Sequence, residues 1–372
     1  DDVELLEAPP QERLTPPDSE IEAAAKAIAA ASNPIIYAGS GIHLSEAQGA
    51  LAAIADDFNL VVRTSRGGKG VISDDHPLHV TTAGGSMLRK GGLNDPDVVL
   101  AVGTRNATSM FDESAQMFQI DVDPDEIGRF HENTTPLVGD ARETLLKLHA
   151  ALGETNASSR PSPVDTVARV REFLVRPEHL TEPQEGFNNA IRGAVPTDGI
   201  AIFGMTQLGY YGRTNYKTYM PRTYIDSGYS GNLGFAYPTS LGAKLAKPEV
   251  PVICVTGDGG FGYQSPEMAT AMKYGINVVI VIFNDNAYGN VARDLDMEFG
   301  GQYEANLTNP DYVRLAKAYG LESAQVRDPG DLENTIKDMI DRDAPALIEV
   351  PVERMPRPGG MTTRPDWATP RV

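Results

Sequence analysis

The chain is predicted to be an α/β protein built as two three-layer domains with parallel sheets, and three observations carry that prediction. Helix-like and strand-like segments alternate across residues 21–152 and again across 181–355. The strongest strand candidates, Val250 to Thr256 and Val278 to Phe283, are nearly continuous apolar runs. That pattern belongs to parallel strands buried on both faces rather than to half-exposed ones. Glycine-rich turns follow such runs directly, as at Gly39-Ser40-Gly41 and Gly257-Asp258-Gly259-Gly260.

Taken in order, residues 1–20 contain Pro9-Pro10 and Pro16-Pro17 and read as an extended linker. The chain opens on Asp1 rather than Met, so it reads as processed or as beginning within a longer chain. Ile21 to Ala31 is predicted to be a helix capped by Asp18 or Ser19. Pro34 to Tyr37 reads as a strand, followed by a second helix after the Gly39 turn. Asp97 to Val102 and Met117 to Val122 read as further strands, completing a middle domain over 21–152. Residues 153–180 are polar and proline-bearing and read as a linker. Residues 181–355 form the second domain. Residues 356–372 hold several Pro and Arg without periodicity and read as a tail.

Composition narrows the function classes. A chain of 372 residues can bury a large core in two or three domains. Its net charge of −19 argues against nucleic acid and anionic membrane surfaces as partners. No apolar run approaches the roughly 20 residues of a membrane span, and no signal-peptide pattern is visible. The single cysteine, Cys254, lies inside an apolar run, is expected to be a small buried hydrophobe, and fits a reducing, cytoplasmic setting. None of the six histidines lies beyond His179, so the second domain has no imidazole for proton transfer. His76 and His79 flank Pro77 without a metal pattern and read as structural.

The chemistry concentrates in one stretch. Gly257-Asp258-Gly259-Gly260 is followed by a segment read as a helix from Gln264 to Tyr274, then by the strand ending at Phe283, then by Asn284-Asp285-Asn286-Ala287-Tyr288-Gly289. This spacing would place Asp258 and Asp285 at the ends of neighbouring strands beside a helix N-terminus. Glycines let the backbone approach a ligand closely. Unpaired N–H groups and the helix dipole favour a phosphate there, and paired carboxylates with phosphate oxygens suit Mg²⁺. Either motif alone is an ordinary turn. Their combination, each after an apolar strand, is far more specific.

The stretch resembles the thiamine diphosphate signature, and the resemblance extends along the chain. Ser227-Gly228-Tyr229-Ser230-Gly231-Asn232-Leu233-Gly234-Phe235-Ala236-Tyr237-Pro238 is similar to the segment beneath the bend of that cofactor. As a whole the chain looks like the middle and C-terminal domains of the acetolactate synthase/pyruvate oxidase group. The resemblance implies a Rossmann-like middle domain and a thiamine diphosphate-binding fold. It implies Mg²⁺ held by the side chains of Asp258 and Asp285 and the carbonyl of Ala287, with Gly259, Gly260 and Gly289 near the diphosphate. Gly257, Asn232, Thr206 and Tyr288 are implied as further cofactor contacts. Leu233 would force the cofactor into its V shape, the Gly231 carbonyl would accept from its 4′-amino group, and Gln207 would lie at the diphosphate, although Leu208 stands where a His is usual.

The same resemblance implies a 2-oxo acid substrate, decarboxylation or carboligation, and a homo- or hetero-oligomer. It also implies a glutamate from a pyrimidine-binding domain that nothing in residues 1–180 resembles, so this chain alone is expected to be inactive. Gly289-Asn290-Val291-Ala292-Arg293-Asp294-Leu295 departs from the acetolactate synthase run, with Asn for Met and Asp for Trp. A larger or more polar substrate is therefore expected, with Asn290 and Arg293 as contacts. FAD is an alternative cofactor, not favoured, for which Gly39-Ser40-Gly41 and Arg105 are the candidate residues. Thr64 to Gly70 reads as a structural loop rather than a phosphate cradle. A flavin-linked 2-oxo acid oxidase and a non-catalytic cofactor-binding subunit are the alternative functions.

Overall fold

The computed structural model describes residues 13–107, 111–228 and 230–358. Pro9-Pro10 of the expected linker, Tyr229, and residues 359–372 of the expected tail lie outside the described residues. The chain divides into two compact units. The first comprises residues up to 68 together with 94–165, and the second comprises 69–93 together with 166 onward.

The first unit holds strands β1 (Pro34–Ala38), β2 (Val61–Thr64), β3 (Val98–Val102), β4 (Gln116–Asp121) and β5 (Thr134–Val138) in the order β2-β1-β3-β4-β5, all parallel. The residues of β1, β2 and β3 are buried throughout, which accounts for their unbroken apolar character. The first helix runs Asp18–Ala30 and buries Ile21, Ala24, Ala25 and Ile28. Neither Asp18 nor Ser19 caps it, contrary to expectation. The helix begins directly after Pro17, so both residues lie inside its first turn. There the Asp18 carboxylate suits the positive end of the helix dipole and pairs with Lys147 at 2.9 Å.

Gly39-Ser40-Gly41 closes on its own unit. The N–H groups of Gly39 and Gly41 donate to the carbonyls of Val102 and Gly103 at 2.8 and 3.0 Å. A side chain at Gly41 would come within 2.5 Å of Gly103 Cα, and one at Gly39 or Gly68 would collide with a backbone carbonyl. These glycines serve a close crossing of strand ends.

The second unit holds β6 (Ile200–Phe203), β7 (Tyr224–Asp226), β8 (Val252–Gly257), β9 (Val278–Asn284), β10 (Glu322–Gln325) and β11 (Ala346–Pro351), parallel and in the order β10-β11-β9-β8-β6-β7. Alternate residues feed opposite faces. Ile253, Val255, Val279, Val281 and Phe283 join one core with Phe187, Ile191, Leu332 and Ile336 of the helices Gln184–Ala194 and Pro329–Asp341. Val252, Cys254, Val278, Ile280 and Ile282 join the other with Tyr237, Leu241, Met268, Ala271 and Tyr312. Both faces are therefore covered, which is the three-layer arrangement. Cys254 is fully buried, and burial pushes its thiol up to about 12, so it behaves as the small hydrophobe expected.

Residues 164–174 of the segment read as a linker form a helix, Val164–Leu174. Segment 69–93 contributes a buried polar cluster to the second unit. Lys69 lies 3.6 Å and His79 Nδ1 3.2 Å from the two oxygens of Asp74, whose Oδ2 also accepts from the Thr218 N–H at 2.6 Å. Lys69 is thus engaged inside the protein, and His79 is part of the core.

Candidate functional site

The chain leaves β6 and crosses to β7 on one side, then to β8 on the other, so the strand order reverses around β6. Open parallel sheets bind ligands at such a reversal, beyond the carboxyl ends of the strands. Three helices begin there: Gln207–Asn215 shortly after β6, Asp258–Gly262 directly after β8, and Gly289–Phe299 shortly after β9. Their first turns present N–H groups and the positive ends of their dipoles toward one region. The helix after β8 starts at Asp258 itself and continues through a 3₁₀ turn, Ser265–Glu267, into Met268–Tyr274. This corrects the expected single helix from Gln264. Phe261, packed against Tyr237 and Tyr312, holds this glycine-rich turn helical where its propensity would not.

A cleft of about 60 Å³ opens between these helix starts. It is lined by Met205, Thr206, Gln207, Leu233, Gly257, Asp258, Gly259, Gly260, Asp285, Ala287, Tyr288, Gly289, Asn290 and Val291. Most residues singled out in the sequence therefore come together. Gly231 and Asn232 sit on the loop leading to Leu233 rather than in the wall, with Gly231 backed by Met205 and held at a φ of +63°. Arg293 lies behind the wall, donating to Asn290 Oδ1 at 2.7 Å.

The glycines keep the cleft open. A side chain at Gly259 would come within 2.6 Å of the Tyr288 ring, and one at Gly289 would collide with Asp285 and lie 2.8 Å from Gln207. Leu233 is 38% exposed, leaving an apolar surface at the cleft in a residue type that is usually buried.

Asp258 is almost completely buried. Burial raises its carboxyl above the usual range, opposed by hydrogen bonds from Asn309 and from the N–H groups of Gly259 and Ala287. Asp285 is pushed up to about 6, first by burial and then by the charge of Asp258, while the Ala287 N–H again opposes the shift. The charge of Asp258 thus disfavours ionisation of Asp285, and the Ala287 backbone faces both. Hard carboxylate oxygens in this arrangement fit a divalent cation, which would stabilise both charges at once. Among the described residues no group of three or more His, Cys, Asp and Glu is placed to hold a metal ion by itself. A cation here would accordingly complete its shell with a carbonyl, phosphate oxygens and water.

Asn309 was not legible in the sequence. Its Nδ2 donates to Asp258 Oδ2 at 2.6 Å and Asn284 Oδ1 at 3.0 Å. It arrives because segment 305–307 pairs with the 286–288 loop, with Tyr288 N–H donating to Ala305 and Leu307 N–H to Asn286. Glu349, a buried acid within β11, was missed as well; it accepts from Asn284 Nδ2 at 2.8 Å and Gln325 at 2.9 Å. A charged residue inside an apolar run was the available signal. Gln207 is buried and hydrogen-bonded rather than a surface loop residue.

Comparison with known proteins agrees with this geometry. Residues 204–350 match the family described as thiamine pyrophosphate enzyme, C-terminal TPP binding domain, and residues 21–148 match its central domain. A probable acetolactate synthase large subunit of Methanocaldococcus jannaschii is 31% identical over 92% of this chain and 62% of its own length. A probable 2-ketoarginine decarboxylase of Pseudomonas aeruginosa is 33% identical over 91% and 61%. The acetolactate synthase isozyme 3 large subunit of Escherichia coli is 29% identical over 87% and 59%. The chain thus spans about three fifths of the length of these relatives. With a parallel-sheet domain matching each of two successive family domains, the chain belongs to the thiamine pyrophosphate enzymes.

Proposed function

We propose that the cleft binds thiamine diphosphate with Mg²⁺ and that the protein decarboxylates a 2-oxo acid, with or without carboligation to a second carbonyl compound. The observation that carries this reading is the pair of acids, buried Asp258 and half-buried Asp285, at the ends of adjacent strands among three helix N-termini. When bound, thiamine diphosphate supplies a nucleophilic carbon that adds to the 2-oxo acid and stabilises the charge left by loss of CO₂.

The chain's own residues do the rest. Asp258, Asp285 and the Ala287 carbonyl hold the cation. The backbone at Gly257, Gly259, Gly260 and Gly289, with Thr206, Gln207 and Tyr288, surrounds the diphosphate. Leu233 would support the bend of the cofactor, and Gly231 and Asn232 would contact its pyrimidine. Asn290 lines the cleft and supports a larger or more polar substrate than pyruvate. The proposal includes a pyrimidine-binding domain or subunit that supplies the activating glutamate, an oligomeric assembly and a cytoplasmic location. It also includes the division into a linker (1–20), middle domain (21–152), second linker (153–180), diphosphate domain (181–355) and tail (356–372).

Titration calorimetry of the intact protein with thiamine diphosphate, with and without Mg²⁺, tests the reading. Uptake is expected only with the cation, and Asp258→Ala is expected to abolish it. Uptake that ignores both the metal and the substitution would overturn it.

A further inference from the structure

Gln207 uses both ends of its carboxamide within the protein. Its Oε1 accepts from the Met355 N–H at 2.8 Å, and its Nε2 donates to Asp285 Oδ2 at 2.8 Å. The orientation is unambiguous, because a backbone N–H can only donate and a carboxylate can only accept. The anchor is itself fastened. Val352 N–H donates to the Asn284 carbonyl at 2.9 Å, Gln184 Nε2 to the Pro356 carbonyl at 2.6 Å, and Arg354 to Asp296 at 2.6 Å and Gln302 at 2.8 Å. Arg293 joins the Met355 carbonyl, at 3.4 Å, to Asn290 Oδ1, at 2.7 Å. Segment 352–356, which follows β11, is thus tied to both sides of the cation loop, and Gln207 is the bridge from it to one carboxylate oxygen.

We propose that Gln207 is a positioning residue for Asp285, with the Met355 N–H as its fixed point and Arg293 as a secondary clamp on that point. The inference rests on the cofactor and cation reading above. By occupying Oδ2, the Gln207 amide leaves Oδ1 as the cation-facing oxygen and selects one rotamer of Asp285. Nε2 carries a second N–H, and Gln207 lines the cleft, so the same amide can serve both Asp285 and an anion beside it. Through the N–H bound to Asp285, Gln207 acts on cation affinity.

The test is a Mg²⁺ titration of thiamine diphosphate uptake by the intact protein, followed by calorimetry. Gln207→Met keeps the length and removes both hydrogen bonds. It is expected to raise the half-saturating Mg²⁺ concentration about tenfold. At saturating Mg²⁺, Arg293→Met should leave affinity for thiamine diphosphate within about twofold of the unsubstituted protein. Arg293→Met, one contact further away, is expected to shift the Mg²⁺ midpoint two- to threefold in the same direction, and it serves as the test should Gln207→Met not fold. An unchanged Mg²⁺ midpoint overturns the inference, as does a loss of cofactor affinity in Arg293→Met that saturating Mg²⁺ fails to restore. If the unsubstituted protein takes up thiamine diphosphate without Mg²⁺, the functional reading fails instead, so the two failures are distinguishable.

Discussion

Two glycine-rich turns follow two parallel strands in this chain and meet different ends. After β1, Gly39-Ser40-Gly41 is consumed by its own unit: its N–H groups go to Val102 and Gly103, and the space beside each glycine holds backbone. After β8, Gly257-Asp258-Gly259-Gly260 borders a cleft with two acids. A glycine turn at a strand end therefore provides only the capacity for close approach. What approaches, a protein carbonyl or a ligand, depends on the neighbouring strand end.

Substituting each turn separates these roles. Gly39→Ala forces a methyl into the Gly103 carbonyl and should cost about 3 kcal/mol of stability. Urea unfolding reads this loss, and the cation dependence of cofactor uptake by the folded fraction should be unaltered. Gly289→Ala pushes Asp285 aside instead. It should weaken Mg²⁺-dependent thiamine diphosphate uptake about a hundredfold, some 2.7 kcal/mol, with little change in the melting curve. Equal effects of the two substitutions on stability would erase the distinction.

The acids of the second unit repeat the contrast. Asp258 and Asp285 have raised pKa values because burial, joined at Asp285 by the charge of Asp258, outweighs the groups that oppose the shift. For Asp74, burial also acts upward, but Lys69, His79 and the Thr218 N–H together hold the carboxyl well below its usual range. A folded pKa below the unfolded one means stability that is present above the unfolded value and lost as pH falls through the folded one. Asp74→Asn should therefore cost about 2 kcal/mol near neutrality. That difference should shrink as pH drops below about 4, the ordinary aspartate range. Chemical unfolding at a series of pH values measures it; a difference that grows on acidification would contradict the assignment.

The smallest expected effect is at Asn309. Asn309→Ala removes donors to Asp258 and Asn284 and should weaken Mg²⁺-dependent uptake by about 1.5 kcal/mol, roughly tenfold, as read by the same calorimetry. An unchanged uptake would reduce Asn309 to a loop contact.

Much of this was legible in the chain. Continuous apolar runs marked β8 and β9 because both faces of each strand are covered, and the two acids followed from the turns behind those runs. The helix start at Asp258 was not legible, since Gly259, Gly260 and Gly262 carry no helical signal and long-range packing of Phe261 imposes the turn. Nor was the start of the first helix, which begins at Asp18 directly after Pro17 where the sequence put Asp18 or Ser19 at its cap. Asn309 and the Gln207–Met355 bridge join residues 51 and 148 positions apart, a separation at which local pattern says nothing.

By itself the sequence determined the alternation of elements, the parallel sheets and the two carboxylates at strand ends, since these follow from periodicity and turn chemistry within a few residues. Only the tertiary structure decided which glycine turn stays open, which acids burial pushes up, and which oxygen of Asp285 is held. Those outcomes depend on burial and on partners brought in from distant segments, and solvation and hydrogen bonding are settled only when the segments meet.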